Sequence, residues 1–578
     1  MRSIYSVSRR AWVGCGVAAL VMLSLVLRVH RLEGPADLRF DAGVYYVLGT
    51  SIAQGKGYRL LSEPGEIQSV QYPPLVPAVV AAHQLVLGTS SPDIVGHALR
   101  LTYFVVYVGY VVAVFWMAAA YLTTGLAFVA ALIVALHFWT HFNTEYLIAE
   151  LPFALAATLF FGIVGREEAG RTRIGKGVVP GLLAVVGFYL RTVGIALLGT
   201  WVADSVIRRR PRQAALRAAI AMLVVLAWQS YISSVRRGPE YAHPAYSYQR
   251  AAYMMYNIPY GENFWLVEPR HPEAGMTSVL DLPGRVISNL RNFGIAMGES
   301  VSIARGWWQG EVMKANRVLG TTVLPLWAAD AALWGLTVLI LGGLVILAGR
   351  RRWLIPVYMA MSIALFAVGP WPGSLTRYAG SLAPYSAVAL LVVIDSAWGR
   401  AGQLRETPRR IGRLVAAAVV VVIIAQEVHT LRKSFRMLYY PAPWVDGSGR
   451  PGTYPLLAYD RPWRLYGEAL EWLRQHGRPG EIVATSSPHW AYLKTGLKTV
   501  SPPWEDDPVI AQRLLEAVPV DYLVIDNVLA NENAEVARRY SIPIVQAFPD
   551  KWKLIHVSGD SGARVYRRGP VERSAPQD

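Results

Sequence analysis

A small set of ionisable residues lies at the edges of long apolar blocks, where an unpaired charge is costly to bury and a retained one is a functional candidate. Asp41 opens the stretch "DAGVYYVLGTSIAQGKGY", Glu145 and Glu150 lie in "NTEYLIAELPFA", Arg191 interrupts "GFYLRTVGIALL", and Arg377 with Tyr378 begins "RYAGSLAPYSAVAL". The residue types divide by chemistry. The guanidinium forks of Arg191 and Arg377 suit the oxygens of phosphate or another anionic group. The Asp41 carboxylate could take the proton of an attacking hydroxyl. The tyrosine-rich run "YAHPAYSYQRAAYMMYNIPY" (241–260) could stack on sugar rings or sit at the level of lipid headgroups. Plainer roles compete at each position. Arginines near span ends snorkel to headgroups, Glu145 reads as a solvated carboxylate beside a helix start, and Asp41 could cap the helix that follows it.

The elements that must position these residues are membrane helices. The chain has 578 residues, of which 53% are hydrophobic and 16% charged; a soluble protein carries about 25% charged residues. The apolar residues gather into blocks near the length of roughly 20 that crosses a hydrocarbon core. About 11 spans are expected, at 11–28, 95–121, 124–141, 146–164, 177–190, 191–207, 213–233, 323–348, 352–369, 376–397 and 411–430. The net charge of +17 is concentrated in short arginine-rich loops, 165–176, 208–212, 349–352 and 399–413. That distribution sets membrane orientation and argues against a nucleic-acid partner. Those loops share the inner side, which places Asp41, Glu145, Glu150, Arg191 and Arg377 on the outer one. Only about 31 apolar residues separate the loops at 165–176 and 208–212, too few for two full spans. This segment must enter and return as two short helices or a re-entrant pair that turns near Arg191. The N-terminus reads as an uncleaved signal anchor. The single cysteine, Cys15, excludes an internal disulfide and a cysteine-based metal site.

This reading divides the chain into a polytopic α-helical part, 1–434, with external loops at 29–94 and 234–322, and an extracytoplasmic α/β domain, 435–578. The first loop should contain a short amphipathic helix in "YPPLVPAVVAAHQLVLG". In the tail, 463–477 has helical spacing and stops at Gly477 before Pro479. "EIVATSS" and "DYLVID" read as buried strands, and "KWKLIHVSGDSGARVYRR" as a hairpin. Asp526 and His489 in this domain read as structural, with no recognisable catalytic partner nearby in sequence.

The ordered set "RFDAGVYYVLGTSIAQGKGY", "YPPLVPAVVA", "ELPFALAATLFF", "GFYLRTVGIALL" and "TRYAGSLAPYSAVAL" resembles the polytopic GT-C glycosyltransferases. The resemblance is in particular to the bacterial relatives of the dolichyl-phosphate-mannose–protein mannosyltransferases and of aminoarabinose transferase. The resemblance implies a transferase that uses a polyprenyl-phosphate-linked sugar at the outer face of the inner (plasma) membrane, with a glycan, lipid or protein as acceptor. It implies that Asp41 is the acidic residue of the first external loop, at the mouth of the active site. Arg377 and Arg191 would contact the lipid phosphate, and Glu150, Tyr378 and Tyr45 would line the substrate site. Many such first loops carry a second acidic residue beside the first, whereas Asp41 is flanked by Phe40 and Ala42. No required metal is therefore expected, and a divalent ion is left open. A lipid-linked sugar flippase and a catalytically inactive relative are the competing readings. Transporters usually place their polar sites near the bilayer midplane, on broken helices within repeats.

Overall fold

In a hydrocarbon solvent every backbone polar group must find its partner within the chain, so apolar blocks fold as helices. The computed structural model describes residues 2–168, 177–320, 322–400, 406–529, 532–560 and 562–569. A helix occupies each expected span. Ala11–Arg31, Pro92–Ala118, Pro211–Arg237 and Trp327–Gly349 are individually long and apolar enough to cross a membrane. Two further pairs pass the same test when each is counted as one bent span: Thr124–Leu136 with Phe138–Glu145, bent by 53°, and Pro372–Gly380 with Ala383–Ala397, bent by 67°. The chain is a helical membrane protein. Of the arginine-rich loops, residues 169–176 and 401–405 lie outside the described residues.

The chain groups into two compact units. The first comprises residues 1–33, 100–227 and 279–437 and holds most of the apolar helices. Its short segment between basic loops folds as the sequence requires. Val178–Leu190 and Ile195–Ile207 are helices of 13 residues each, about 20 Å long and too short to span alone. Arg191 breaks them with an extended backbone (φ −147°, ψ 137°), followed by the 3-10 turn Thr192–Gly194. Gly194 lets the chain fold back here. A Cβ at this position would lie 2.5 Å from the carbonyl carbon and oxygen of Gly187.

The second unit comprises residues 34–99, 228–278 and 438–578, so parts of the first and third loops belong to the same body as the tail. In it β1 (Tyr439–Val445) and β2 (Pro451–Leu457) form an antiparallel hairpin. The strands β3 (Ile482–Ala484), β4 (Lys498–Val500), β5 (Tyr522–Ile525), β6 (Trp552–Val557) and β7 (Arg564–Arg568) form a sheet in the order β4-β3-β5-β7-β6. β3 runs parallel to β4 and β5, while β7 is antiparallel to β5 and β6. The expected strands and hairpin are thus present, although Ser561 of the hairpin turn lies outside the described residues. Arg461–His476 is the expected helix, with the Asp460 side chain accepting from the Trp463 amide at its start and Gly477 at its end. The sheet core, including Leu515, Leu523, Ile525 and Trp552, also takes in Tyr246, Tyr248 and Met254 of the third loop. In the first loop the Asp41–Ala53 and Leu75–Leu87 helices pack together.

Candidate active site

In the first unit, Glu150 begins the Glu150–Glu168 helix just after the non-helical stretch 146–149. That stretch is anchored by the Tyr103 hydroxyl, which donates to the Ile148 carbonyl at 2.7 Å. Glu150 is 2% exposed and sits among arginines. Arg377 donates to Glu150 Oε1 through Nε at 2.8 Å and Nη2 at 2.7 Å. Arg191 Nη1 lies 3.5 Å from the same oxygen. Arg191 also places its guanidinium 5.8 Å from the centre of the Tyr378 ring, which stacks on Phe366 at 4.9 Å. The residue before Arg377 is tied down as well, because the Thr376 hydroxyl donates to Glu299 Oε2 at 2.9 Å. Glu150, Arg191, Arg377 and Tyr378 are therefore brought together. Two guanidiniums face one carboxylate, and they keep 15% (Arg191) and 30% (Arg377) of their side-chain surface exposed. Partly exposed guanidinium forks of this kind suit an anionic ligand.

Glu145 does not join this cluster, and it is not the solvated helix-start carboxylate expected from the sequence. It ends the Phe138–Glu145 helix and is completely buried. Arg28 Nη1 lies 2.8 Å from one of its oxygens and Arg100 Nη2 3.2 Å from the other. Arg100 also donates to the carbonyls of Arg31, at 2.6 Å, and Glu33, at 3.2 Å. The partners of Glu145 were missed because nothing in the local sequence singles out Arg28 or Arg100. Their convergence is long-range in sequence.

In the second unit, Asp41 is the first residue of its helix and Phe40 is the N-cap, with a positive φ of 57°. Asp41 is half-buried and accepts a 3.1 Å hydrogen bond at Oδ1 from the Tyr256 hydroxyl. Tyr45, one turn along the helix, meets the Tyr72 ring at 4.8 Å. Tyr72 in turn contacts the rings of Tyr256 at 6.2 Å and Tyr260 at 6.3 Å. Burial, and next to it the Asp41 carboxylate, push the Tyr72 phenol well above its ordinary range. The carboxylate thus stands among neutral, amphipathic rings that combine an apolar face with a polar tip. Tyr256 and Tyr260 come from the run 241–260, whose number of tyrosines drew attention without indicating which would reach Asp41.

His489, in the Pro488–Thr495 helix, and Asp526, just after β5, are both buried. His489 Nδ1 shares a 2.8 Å hydrogen bond with Ser62 Oγ. Asp526 accepts from Ser486 Oγ at 2.6 Å and from the Val528 amide at 2.9 Å. Among the described residues, no group of three or more His, Cys, Asp or Glu side chains is gathered in a way that could hold a metal ion.

No protein-family model matches the chain, and no curated protein matches its sequence. Solved structures do match its fold. The oligosaccharyltransferase AglB of Archaeoglobus fulgidus, in complex with an inhibitory peptide and a dolichol-phosphate, aligns over 99% of this chain and 75% of its own length, with 11% identity and a TM-score of 0.53. The same organism's oligosaccharyltransferase tethered to an acceptor peptide containing the NVT sequon aligns over 97% and 74%, with 11% identity and a TM-score of 0.54. ArnT of Cupriavidus metallidurans bound to undecaprenyl phosphate aligns over 97% of this chain and 99% of its own, with 14% identity and a TM-score of 0.50. With a helical membrane part and an α/β tail, the chain has the GT-C glycosyltransferase fold shared by ArnT and AglB.

Proposed function

We propose that the protein is a glycosyltransferase that moves a sugar from a polyprenyl-phosphate-linked donor to an acceptor at the outer face of the inner membrane, with its tail outside the cytoplasm. The observation that carries this reading is the Arg191–Glu150–Arg377 cluster, in which one buried carboxylate orders two partly exposed guanidiniums. Arginine forks suit phosphate oxygens, and structures of the same fold hold undecaprenyl phosphate in ArnT and a dolichol-phosphate in AglB. In the reaction, an acceptor hydroxyl oxygen bonds to the anomeric carbon as the bond from that carbon to the phosphate oxygen breaks. Asp41 takes the hydroxyl proton, and Arg377 with Arg191 stabilises the departing polyprenyl phosphate. Fixed cationic donors aimed at developing charge are typically worth 10²–10³ in rate. Tyr378 and Tyr45 contribute ring surface to the substrate. The acceptor, whether glycan, lipid or protein, meets the third loop and the tail.

The test uses the full chain in lipid with a panel of radiolabelled undecaprenyl-phosphate-linked sugars and offered acceptors. Transfer of label with stoichiometric release of undecaprenyl phosphate is the expected result. Donor that binds and crosses the bilayer intact would instead establish a flippase. Binding without turnover or transport, for every donor offered, would point to an inactive relative.

A further inference from the structure

The sheet of the second unit has the topology of a ligand-binding α/β domain. β3 lies between β4 and β5, parallel to both, and the chain runs from β3 outward to β4 and then back across to β5. The carboxyl ends of β3 and β5 therefore flank a topological switch point, where open sheets usually bind ligands. Here those ends are tied to protein. Ser486 Oγ donates to Asp526 Oδ2 at 2.6 Å, and the hydroxyls of Tyr466 and Thr485 share a 2.5 Å hydrogen bond. The Pro488–Thr495 helix, which leaves the end of β3, packs on the Asp41–Ala53 helix. Gly43 lies at this contact, where a Cβ would come 2.9 Å from the Leu38 carbonyl oxygen and 3.3 Å from His489 Cβ and the Trp490 amide nitrogen.

The residues before Asp41 are gripped in the same way. Arg39 donates to the carbonyls of Leu457 at 2.5 Å and Ala458 at 3.0 Å, and its guanidinium lies 4.6 Å from the Trp463 ring centre. The Phe40 ring meets Trp463 edge-on at 5.6 Å. On the other side of Asp41 stands Tyr256. Its hydroxyl reaches Asp41 Oδ1 at 3.1 Å, and its ring meets the His489 ring edge-on at 5.1 Å. His489 is itself held by Ser62 at 2.8 Å. Burial lowers the His489 imidazole to about 3, so at neutral pH it supplies shape and a hydrogen bond without charge.

We propose that the tail is a brace for the catalytic carboxylate, and that Tyr256, buttressed by His489, is a positioning residue that fixes the orientation of Asp41. The role rests on the assignment of Asp41 as the base in the proposed transfer. Holding one carboxylate oxygen sets the torsion of the group, and small misplacements of a reacting group cost rate more than binding.

Tyr256→Phe tests this, because it keeps the ring against His489 and Tyr72 and removes only the hydroxyl. In the full chain in lipid nanodiscs, we expect kcat to fall about tenfold or more while KM for the turned-over donor stays within about twofold. His489→Leu should show the same split. Melting midpoints of Tyr256→Phe, Asp41→Ala and the double variant should be non-additive, as expected for residues in contact. Additive midpoints, or unchanged kcat in Tyr256→Phe while Asp41→Asn is inactive, would overturn the brace and leave the transferase reading standing. Full turnover in Asp41→Asn would overturn the role of Asp41 and the positioning role with it, whatever the midpoints report about the contact.

Discussion

Arg377 places two of its nitrogens, Nε and Nη2, on a single oxygen of Glu150, at 2.8 and 2.7 Å. Arg191 approaches that same oxygen at 3.5 Å. One carboxylate thus meets two guanidiniums that come from distant points of the chain, one at the break between two short helices and one in the Leu375–Gly380 helix. Unlike the two arginines around Glu145, each 1% exposed, Arg191 and Arg377 keep 15% and 30% of their side-chain surface open.

The first consequence concerns lipid-phosphate affinity. Replacing Arg377 by alanine should weaken binding of undecaprenyl phosphate roughly 10- to 100-fold, the range expected when a hydrogen bond to a charged group is lost. Arg377→Lys should recover only part of it, because an ammonium cannot reproduce the planar fork. Binding to the purified protein in nanodiscs, followed by tryptophan fluorescence, reads both variants.

The two glutamate clusters should respond differently to neutralisation. Arg28 and Arg100 are each 1% exposed around Glu145, so Glu145→Gln leaves buried cationic charge uncompensated. A loss of about 3–5 kcal/mol is expected, as for a broken buried ion pair. Glu150→Gln should cost clearly less stability, since Arg191 and Arg377 reach solvent, yet it should impair donor binding by disordering both. Melting curves with a parallel binding assay separate the two effects.

Gly194 is predicted to be intolerant of any side chain. A Cβ only 2.5 Å from the Gly187 carbonyl cannot be accommodated without moving the paired helices. Gly194→Ala should lower stability by about 1–3 kcal/mol, the usual cost of overpacking. It should also weaken donor binding, because Arg191 sits at the break between those helices. Wild-type melting and binding in this variant would show that the close approach is not required.

The buried imidazole of His489 makes a pH prediction with a definite sign. Its folded value of about 3 lies below the ordinary value of 6.5. Below about pH 6.5 the unfolded chain binds a proton that the folded chain refuses, so stability falls as pH drops from about 6.5 toward 3, by up to about 1.4 kcal/mol per unit. Burial lowers His556 as well and adds to the same trend. His489→Gln should therefore show a shallower loss of melting temperature between pH 6.5 and 5 than the wild type. Parallel curves would contradict it.

Much of this architecture was legible because the bilayer imposes a strong pattern. The apolar blocks marked every helix at an expected span, and the shortage of residues between two basic loops required the paired helices around Arg191. Arg191, Glu150 and Arg377 were identified singly as costly charges at one side of the membrane, but span-edge position did not distinguish them from Glu145, which pairs elsewhere. Local patterns could not reveal partners distant in sequence. Glu145 looked solvated because its arginines lie 117 and 45 residues away in the chain. Tyr256 was one of many tyrosines, and nothing local distinguished it as the one that reaches Asp41. The hairpin of β1 and β2 was also missed, because its proline-rich strands, "YYPAPWV" and "PGTYPLL", depart from the alternating β-branched pattern.

Replacing Asp41 alone separates binding from chemistry. Asp41→Asn, in the full chain in lipid, would be assayed for undecaprenyl-phosphate binding and for sugar transfer from a donor that the wild type uses. If Asp41 is the base and the Arg191–Glu150–Arg377 cluster holds the phosphate, binding should stay within about twofold of wild type while transfer falls by about 10² or more. Transfer at the wild-type rate would show that Asp41 is not the base.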